Sequence, residues 1–171
     1  MSPGSCSPQP PGSAVLITGM SGTGKSTVLA ELARRGHRVV DTSHGDWIED
    51  VPLAGGEVEP MWRERRMAEL LERHTSGALF IGGCVANQGR FYDRFAAVVL
   101  LSAPEDVLLE RIATRDTNDF GKTAEERTRI VADLRAVEPL LRAGAGHEID
   151  TLRPPAEVAD ILESIAGAVA G

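Results

Sequence analysis

The chain has 171 residues, of which 42% are hydrophobic and 25% charged, and its formal net charge is −7. This composition is typical of one globular domain and argues against a disordered or fibrous protein. The acidic balance argues against a sequence-independent nucleic-acid interface, which needs a surplus of Lys and Arg, and no apolar run has the length of a membrane span.

The first residues, Met1 to Ser13, are rich in Pro, Ser and Gly and lack the basic start and apolar stretch of a signal peptide. We expect a disordered tail over 1–13, followed by a single domain over 14–171. The two cysteines, Cys6 and Cys84, match no disulfide or metal framework, which favours a reducing interior. With no targeting signal, cytoplasmic location is the default expectation.

Short apolar segments alternate with segments of helical spacing along the rest of the chain. The predicted strands are Ala14 to Thr18, Arg38 to Val40, Ala78 to Ile81, Ala96 to Leu101 and Glu148 to Asp150. The predicted helices are Ser26 to Arg35, Pro60 to His74, Pro104 to Arg115, Ala124 to Arg142 and Pro154 to Ala168. This alternation predicts an α/β fold, with a parallel sheet covered by helices on both faces and ligands at the carboxyl ends of the strands.

Residues 19–26 read Gly-Met-Ser-Gly-Thr-Gly-Lys-Ser and match the phosphate-binding loop pattern of Gly, any four residues, Gly, Lys, then Ser or Thr. Glycines let the backbone curl so that N–H groups point at a polyanion. We expect Lys25 to reach the outer phosphates of ATP and the Ser26 hydroxyl to coordinate Mg²⁺. The expected nucleotide-binding residues of this segment are Gly19, Met20, Ser21, Gly22, Thr23, Gly24, Lys25, Ser26 and Thr27.

A hydrolytic motor or switch usually ends a later strand with an acidic residue that holds the metal, but the third predicted strand is followed by Gly82-Gly83-Cys84. The nearest acidic candidate is Asp41, at the end of the second strand. An Asp there can hold a Mg²⁺ water, together with Ser26, or orient an acceptor hydroxyl. A helix cap or turn residue is the structural alternative.

Arg111 and Arg115 lie one helical turn apart on the helix after the fourth strand. The polar, glycine-centred segment that follows, Asp116 to Thr123, would suit phosphoryl transfer as a mobile lid carrying Arg115 and Lys122, because closure excludes water and cations offset charge on the transferred group. An ordinary exposed connection is the alternative.

The sequence resembles the small P-loop kinases of the shikimate, gluconate and adenylate kinase group, within the P-loop nucleoside triphosphate hydrolase superfamily. The resemblance is carried by the order of four features along the chain: the phosphate loop, Asp41, the double glycine and the paired arginines. The resemblance implies a three-layer α/β/α sandwich with a five-stranded parallel sheet in the order 2-3-1-4-5. It implies an acceptor-binding helix over about 57–76 and a lid over about 114–127. It also implies that Arg111 stacks on adenine and that Arg115 meets the transferring phosphate.

The resemblance also suggests residues for the phosphoryl acceptor. Trp62-Arg63 looks like an aromatic–Arg pair that helps shikimate kinases bind the carboxylate of their acceptor. Gly82 and Gly83 resemble glycines whose backbone approaches the acceptor closely. Asn87 begins an unusually polar segment that faces the same site, and its amide is a further candidate for acceptor contact, with a simple loop as the alternative.

Two departures argue against a true shikimate kinase. The second acidic residue of that family's Asp-any-Asp pattern is Ser43 here, and an arginine expected before Glu138-Pro139 is Val137. Losing a guanidinium that forks onto a carboxylate removes strong charge-assisted hydrogen bonds. Ser43 leaves Asp41 as the candidate base, with His44 and Asp46 as weaker candidates.

The expected function is therefore transfer of the γ-phosphate of ATP to a hydroxyl or phosphate of a small polar metabolite. Sugar acids, nucleosides or nucleotides, and antibiotics are all compatible acceptors. The alternative is a regulatory ATP-binding module or slow NTPase whose conformational change is recognised by a protein partner. No nucleic-acid or membrane partner is expected.

Overall fold

The computed structural model of the protein describes residues 13–114 and 123–170. The seven strands are β1 (Ser13–Thr18), β2 (Arg38–Asp41), β3 (Ile48–Pro52), β4 (Val58–Trp62), β5 (Ala78–Gly82), β6 (Ala97–Ser102) and β7 (His147–Asp150). The helices are α1 (Lys25–Arg34), α2 (Glu64–Arg73), α3 (Glu105–Thr114), α4 (Ala124–Gly144) and α5 (Pro155–Ala170), with a 3₁₀ segment over Gln88–Arg94.

Five strands form one parallel sheet in the order β2-β5-β1-β6-β7. Counted within this sheet alone, the order is the predicted 2-3-1-4-5. The central strand β1 is buried along its whole length, and its Ile17 lies opposite Gly82 on one side and Val99 on the other. Burial on both faces explains why these strands are continuous apolar runs in the sequence.

Two apolar cores cover the faces of the sheet, which gives the predicted three-layer sandwich. The first lies against α1 and α5 and includes Val15, Ile17, Val28, Leu29, Leu32, Phe80, Val99, Val158 and Leu162. The second lies against α2 and the 3₁₀ segment and includes Leu16, Trp62, Met67, Leu70, Leu79, Ile81, Phe91 and Phe95. Helices α1, α2 and α5 each contribute side chains at helical spacing to one of these cores, as amphipathic helices do.

The segment after β2 differs from the prediction. Val58–Trp62 is a strand that pairs antiparallel with Ile48–Pro52, so the helix predicted from Pro60, or over about 57–76, begins only at Glu64. Proline disfavours helical backbone in the residue before it and lacks an N–H for the helix ladder. Gly56, at φ 83°, forms part of the turn that joins the two strands.

Other predicted boundaries fall at the edges of the described residues. Ser13, predicted to end a disordered tail, is the first residue of β1. The remainder of that tail and most of the predicted lid, including Arg115 and Lys122, lie outside the described residues. Thr123 caps α4 by accepting a hydrogen bond from the Glu126 N–H. Within 13–114 and 123–170, every helix is too short or too polar to cross a bilayer.

Candidate active site

The phosphate loop joins the end of β1 to the start of α1, and its glycines are required by the backbone. Gly22 and Gly24 adopt φ of 87° and 93°, a region that strains other residues. A Cβ on Gly19 would lie 2.5 Å from the Leu101 carbonyl oxygen. A Cβ on Gly22 would lie 3.2 Å from the carbonyl oxygen of Leu108. The loop is therefore packed closely against the end of β6 and against α3.

Lys25 is held inside this loop. Its ammonium donates hydrogen bonds to the carbonyl oxygens of Gly19 and Met20, at 2.5 and 3.0 Å. Burial lowers the pKa of Lys25, while the neighbouring Cys84 thiol and Asp41 carboxylate act in the opposite direction. The lysine side chain is thus already directed into the curl of the backbone, where a phosphate-loop lysine acts.

Asp41, the last residue of β2, lies beside the first turn of α1. The Ser26 hydroxyl donates to Asp41 Oδ2 at 2.6 Å, and the hydroxyl and N–H of Ser43 donate to Oδ1 at 2.5 and 3.0 Å. Burial acts to raise the pKa of Asp41, but these hydrogen bonds outweigh it and hold the pKa below its usual value. The site therefore presents an ionised carboxylate next to a serine hydroxyl.

Arg111 on α3 connects the phosphate loop to the segment after β7. Its guanidinium donates to the Gly22 carbonyl oxygen at 3.1 Å and to the Thr151 carbonyl oxygen at 2.7 Å. Arg111 and Thr151 border a cavity of about 370 Å³, which is large enough for the base and sugar of a nucleotide. Its lining consists of Thr23, Gly24, Thr27, Val28, Arg111, Val158 and residues 151–155.

A larger cleft of about 800 Å³ lies between the β3–β4 hairpin and α2. Of the residues predicted to bind an acceptor, Arg63 and Asn87 line it. The lining otherwise comes from Glu49, Val51, Met61, Trp62, Glu64, Arg65, Arg66, Glu69 and Arg90. Gly82, Gly83 and the phosphate loop contribute nothing to it, so the two cavities are separate in the part of the chain that the structure describes.

The arginines of this cleft are paired with carboxylates. Arg63 donates to Asp46 and to Glu49, each at 3.2 Å. The Arg66 guanidinium stacks 4.1 Å above the Trp47 ring and lies 3.9 Å from Asp46. The remaining pairs are Arg65 with Glu69 and Arg90 with Glu64. The arginines that line the cleft are therefore charge-balanced in the folded chain.

The double glycine after β5 is explained by packing within the protein. A Cβ on Gly82 would lie 2.4 Å from Leu29 Cδ1, and one on Gly83 would lie 2.3 Å from Thr42 Oγ1 and 3.2 Å from the ring of Trp62. The Thr42 hydroxyl donates to the Gly82 carbonyl oxygen at 2.8 Å and accepts from Trp62 Nε1 at 3.0 Å. Gly82 thus leaves room for Leu29 of α1, and Gly83 leaves room for the buried Trp62.

The amide of Asn87 is bonded to the hairpin. It accepts from the Trp62 N–H at 2.9 Å and donates to the Trp62 carbonyl oxygen at 3.0 Å. The sequence did not single out Gln88 as a site residue, yet it is 2% exposed and donates to Thr18 Oγ1 at 3.0 Å and to the Tyr92 hydroxyl at 2.9 Å. In the sequence, Gln88 is marked only by the polar character of residues 87–93, which follow an apolar strand.

Together, the sheet order and the loop give the chain the fold of the small P-loop kinases. A shikimate kinase from Acinetobacter baumannii, solved in complex with shikimate, superposes with a TM-score of 0.59 at 23% identity, covering 90% of each chain. A shikimate kinase from Bacteroides thetaiotaomicron gives 0.59 at 20% identity, covering 88% of this chain and 98% of that one. A gluconokinase from Sinorhizobium meliloti gives 0.50 at 22% identity, covering 95% and 93%.

The sequence comparisons give the family. Residues 15–132 match the model of the AAA domain family, and because that match spans more than half of the chain, the protein belongs to this family. A nucleotide-binding protein of Gluconacetobacter diazotrophicus is 29% identical over 154 residues, which is 87% of this chain. The chain spans only 40% of the length of that relative.

Proposed function

We propose that the protein is an ATP-dependent phosphotransferase that moves the γ-phosphate of ATP to a hydroxyl or phosphate of a small polar metabolite. The observation that carries the proposal is the contact between Ser26 and Asp41, 2.6 Å apart at the mouth of the phosphate loop. This contact supplies two oxygen donors of the kind that Mg²⁺ prefers, beside the lysine that would meet the outer phosphates.

On the donor side, Lys25 would bind the β- and γ-phosphates while Ser26 and Asp41 hold Mg²⁺, which neutralises charge on the phosphates. The loop backbone from Gly19 and the first turn of α1 as far as Thr27 would bind the inner phosphates. The cavity beside Arg111 would receive adenine, and Arg115 would approach the transferring group.

We assign Asp41 to metal binding and to the orientation of the acceptor hydroxyl. Both of its oxygens already accept hydrogen bonds and its pKa is lowered, so it is a weak proton acceptor. Phosphoryl transfer depends chiefly on positioning and on charge stabilisation, which an ionised carboxylate with fixed orientation can serve.

On the acceptor side, Arg63 and Asn87 form part of the lining of the 800 Å³ cleft, whereas Gly82 and Gly83 lie outside that lining. An anionic acceptor would have to compete with Asp46 and Glu49 for the Arg63 guanidinium. The charge balance of the cleft therefore favours an acceptor held by several polar groups over one held by negative charge alone.

The alternative is an ATP-binding regulatory module or slow NTPase without a small-molecule acceptor. It is supported by Ser43, whose hydroxyl is bonded to Asp41 where shikimate kinases have a second acidic residue for the acceptor. The relative from Gluconacetobacter diazotrophicus is likewise named only for nucleotide binding.

The deciding experiment measures ADP formation from MgATP with and without a panel of sugar acids, nucleosides, nucleotides and antibiotics. The kinase proposal expects one acceptor class to accelerate ADP formation by about 100-fold or more. Slow turnover that no compound accelerates would favour the alternative. Lys25→Ala should abolish turnover in either case, whereas Arg34→Ala, which removes an exposed arginine from the same helix, should not.

Arg63→Ala then tests the acceptor side. Once an accelerating compound is found, this variant should raise the KM for the acceptor while leaving the KM for ATP unchanged. The matched control is Arg73→Ala, at the other end of α2 and outside the lining of the cleft. Unchanged acceptor saturation in Arg63→Ala would contradict the role proposed for Arg63.

A further inference from the structure

The Asn87 side chain holds the end of the β3–β4 hairpin. It is 5% exposed, and it bonds both the N–H and the carbonyl oxygen of Trp62, as a neighbouring strand would. Trp62 is the last residue of β4 and is followed directly by Arg63 of the cleft. Asn87 therefore fixes the point at which the hairpin becomes the wall of the cleft.

The next residue, Gln88, holds the start of the phosphate loop. Its Nε2 donates to Thr18 Oγ1 and to the Tyr92 hydroxyl, and its Oε1 accepts from the Val85 N–H. Thr18 is the last residue of β1 and directly precedes Gly19 of the loop. All the polar hydrogens and the oxygen of this buried amide are satisfied, so its position is strongly determined.

A second connection runs in parallel between the same parts of the molecule. Trp62 Nε1 donates to the Thr42 hydroxyl, and Thr42 follows Asp41 in the chain. The hairpin is thus bonded directly to Thr42, next to Asp41, and is linked through Asn87 and Gln88 to Thr18, next to Gly19. A shift of Thr18 or Thr42 is therefore accompanied by a shift of Trp62 or breaks buried hydrogen bonds.

We propose that Asn87 and Gln88 are positioning residues that couple the phosphate loop to the hairpin, so that nucleotide binding orders the wall of the cleft. Asn87 acts through the Trp62 backbone and Gln88 acts through Thr18. The proposal rests on the proposed function only in treating the loop as a nucleotide site and the cleft as the acceptor site. It gives the polar Asn-Gln pair a role in transmitting donor binding to the acceptor side.

The test is hydrogen–deuterium exchange of the full chain, without nucleotide and with saturating MgADP, read at the amides of residues 48–62. In the wild type, MgADP should slow exchange in the hairpin by about fivefold or more, the lower end of coupling between linked sites. Thr18→Val, which keeps the shape of the side chain but removes the acceptor of the Gln88 amide, should reduce this slowing to the part that the Trp62–Thr42 bond transmits, while MgADP still binds.

Two conservative variants separate coupling from packing. Asn87→Asp keeps an acceptor for the Trp62 N–H but faces the Trp62 carbonyl oxygen with a second acceptor, so the slowing should be reduced as it is in Thr18→Val. Gln88→Glu can accept from the Val85 N–H and from the hydroxyls of Thr18 and Tyr92, so the slowing should be retained. Tyr92→Phe, the matched control, removes a Gln88 partner on the far side from the loop and should also retain it.

Two results would overturn the coupling. One is an absence of slowing in the wild-type hairpin, and the other is full slowing in both Thr18→Val and Asn87→Asp. A parallel titration with MgADP distinguishes this failure from failure of the proposed function. A chain that binds no MgADP contradicts both, and a chain that binds MgADP without slowing contradicts the coupling alone. A failed acceptor screen contradicts only the phosphotransferase proposal, because the exchange measurement uses no acceptor.

Discussion

Ser26 and Asp41 lie 15 positions apart in the sequence, and their side-chain oxygens are 2.6 Å apart in the fold. The first belongs to the opening turn of α1 and the second ends β2, on the opposite side of β5 from β1. Because the two oxygens are adjacent in the folded chain, a metal ion bound there would need little rearrangement of its ligands.

Replacing Asp41 with Asn should weaken the contribution of Mg²⁺ to nucleotide binding. Loss of a residue that orients or supports a metal ligand typically costs about 10–100-fold in metal affinity. Calorimetric titration of ADP with and without MgCl₂ measures this contribution as a ratio of two dissociation constants. Asp50→Asn, an exposed acidic position on β3, is the charge-matched control. A ratio in Asp41→Asn equal to that of the wild type would remove Asp41 from the proposed metal site.

Arg111→Ala should weaken ADP binding by about 10-fold or more, because it removes charge-assisted hydrogen bonds to the carbonyl oxygens of Gly22 and Thr151. Those bonds shape the cavity proposed for the base. The loss should therefore be smaller for inorganic triphosphate, which has no base, than for ADP. Arg135→Ala, an exposed arginine on α4, is the control. Equal losses for the two ligands would argue against a base pocket at Arg111.

Gly83→Ala should destabilise the fold, because its Cβ would meet Thr42 Oγ1 and the Trp62 ring in a region with little freedom to move. Overpacking of this kind typically costs about 1–3 kcal/mol, measurable as a lower midpoint in urea denaturation. Gly55→Ala is the matched control, since a Cβ there would meet nothing within 4 Å. Equal midpoints for the two variants would show that the strand ends can relax around a methyl group.

Glu31 predicts a pH dependence of stability. Hydrogen bonds from Arg34 and then Arg35 lower the pKa of Glu31 from 4.5 to about 2. A carboxyl group with a lower pKa in the folded state stabilises the fold above its unfolded pKa and loses that contribution as the pH falls through the folded value. Glu31→Gln should therefore be less stable than the wild type above pH 4.5, by an amount that shrinks towards pH 2.

Urea denaturation of both proteins across this pH range measures the difference directly. Glu57→Gln, which removes an exposed charge near the hairpin turn, controls for the change in net charge. The effect should be modest, because Arg34, the first partner of Glu31, is largely exposed to solvent and its ion pair is screened by salt. A difference that grew as the pH fell would contradict the assignment.

Much of the central sheet and the phosphate loop could be predicted from the sequence, because their signals are local. The apolar run from Ala14 to Thr18 has no other stable location than a buried strand, and the glycine pattern after it determines the backbone of the loop. The proximity of Asp41 followed from the tendency of ligand-binding side chains to collect at the carboxyl ends of parallel strands.

The acceptor side was harder to predict because its interactions are distant in sequence. The strand Val58–Trp62 contains a proline, and its apolar residues continue into the helical spacing of Met67 and Leu70. The sequence pattern therefore predicts a helix that begins before Glu64, where α2 begins. The two amide bonds of Asn87 depend on Trp62, 25 positions away, and no local pattern indicates them. The pairing of Arg63 with Asp46 likewise required the hairpin to be known.

The β3–β4 hairpin is a two-stranded sheet of its own, separate from the five strands that carry the phosphate loop. Residues at its tip could therefore be exchanged, lengthened or shortened without moving the register of the main sheet. Grafting of new sequences onto the hairpin tip should therefore leave the main sheet folded, provided that Trp62 and its bonds to Asn87 and Thr42 are kept. For protein engineering, the hairpin is a replaceable segment beside a fixed sheet that carries the phosphate loop.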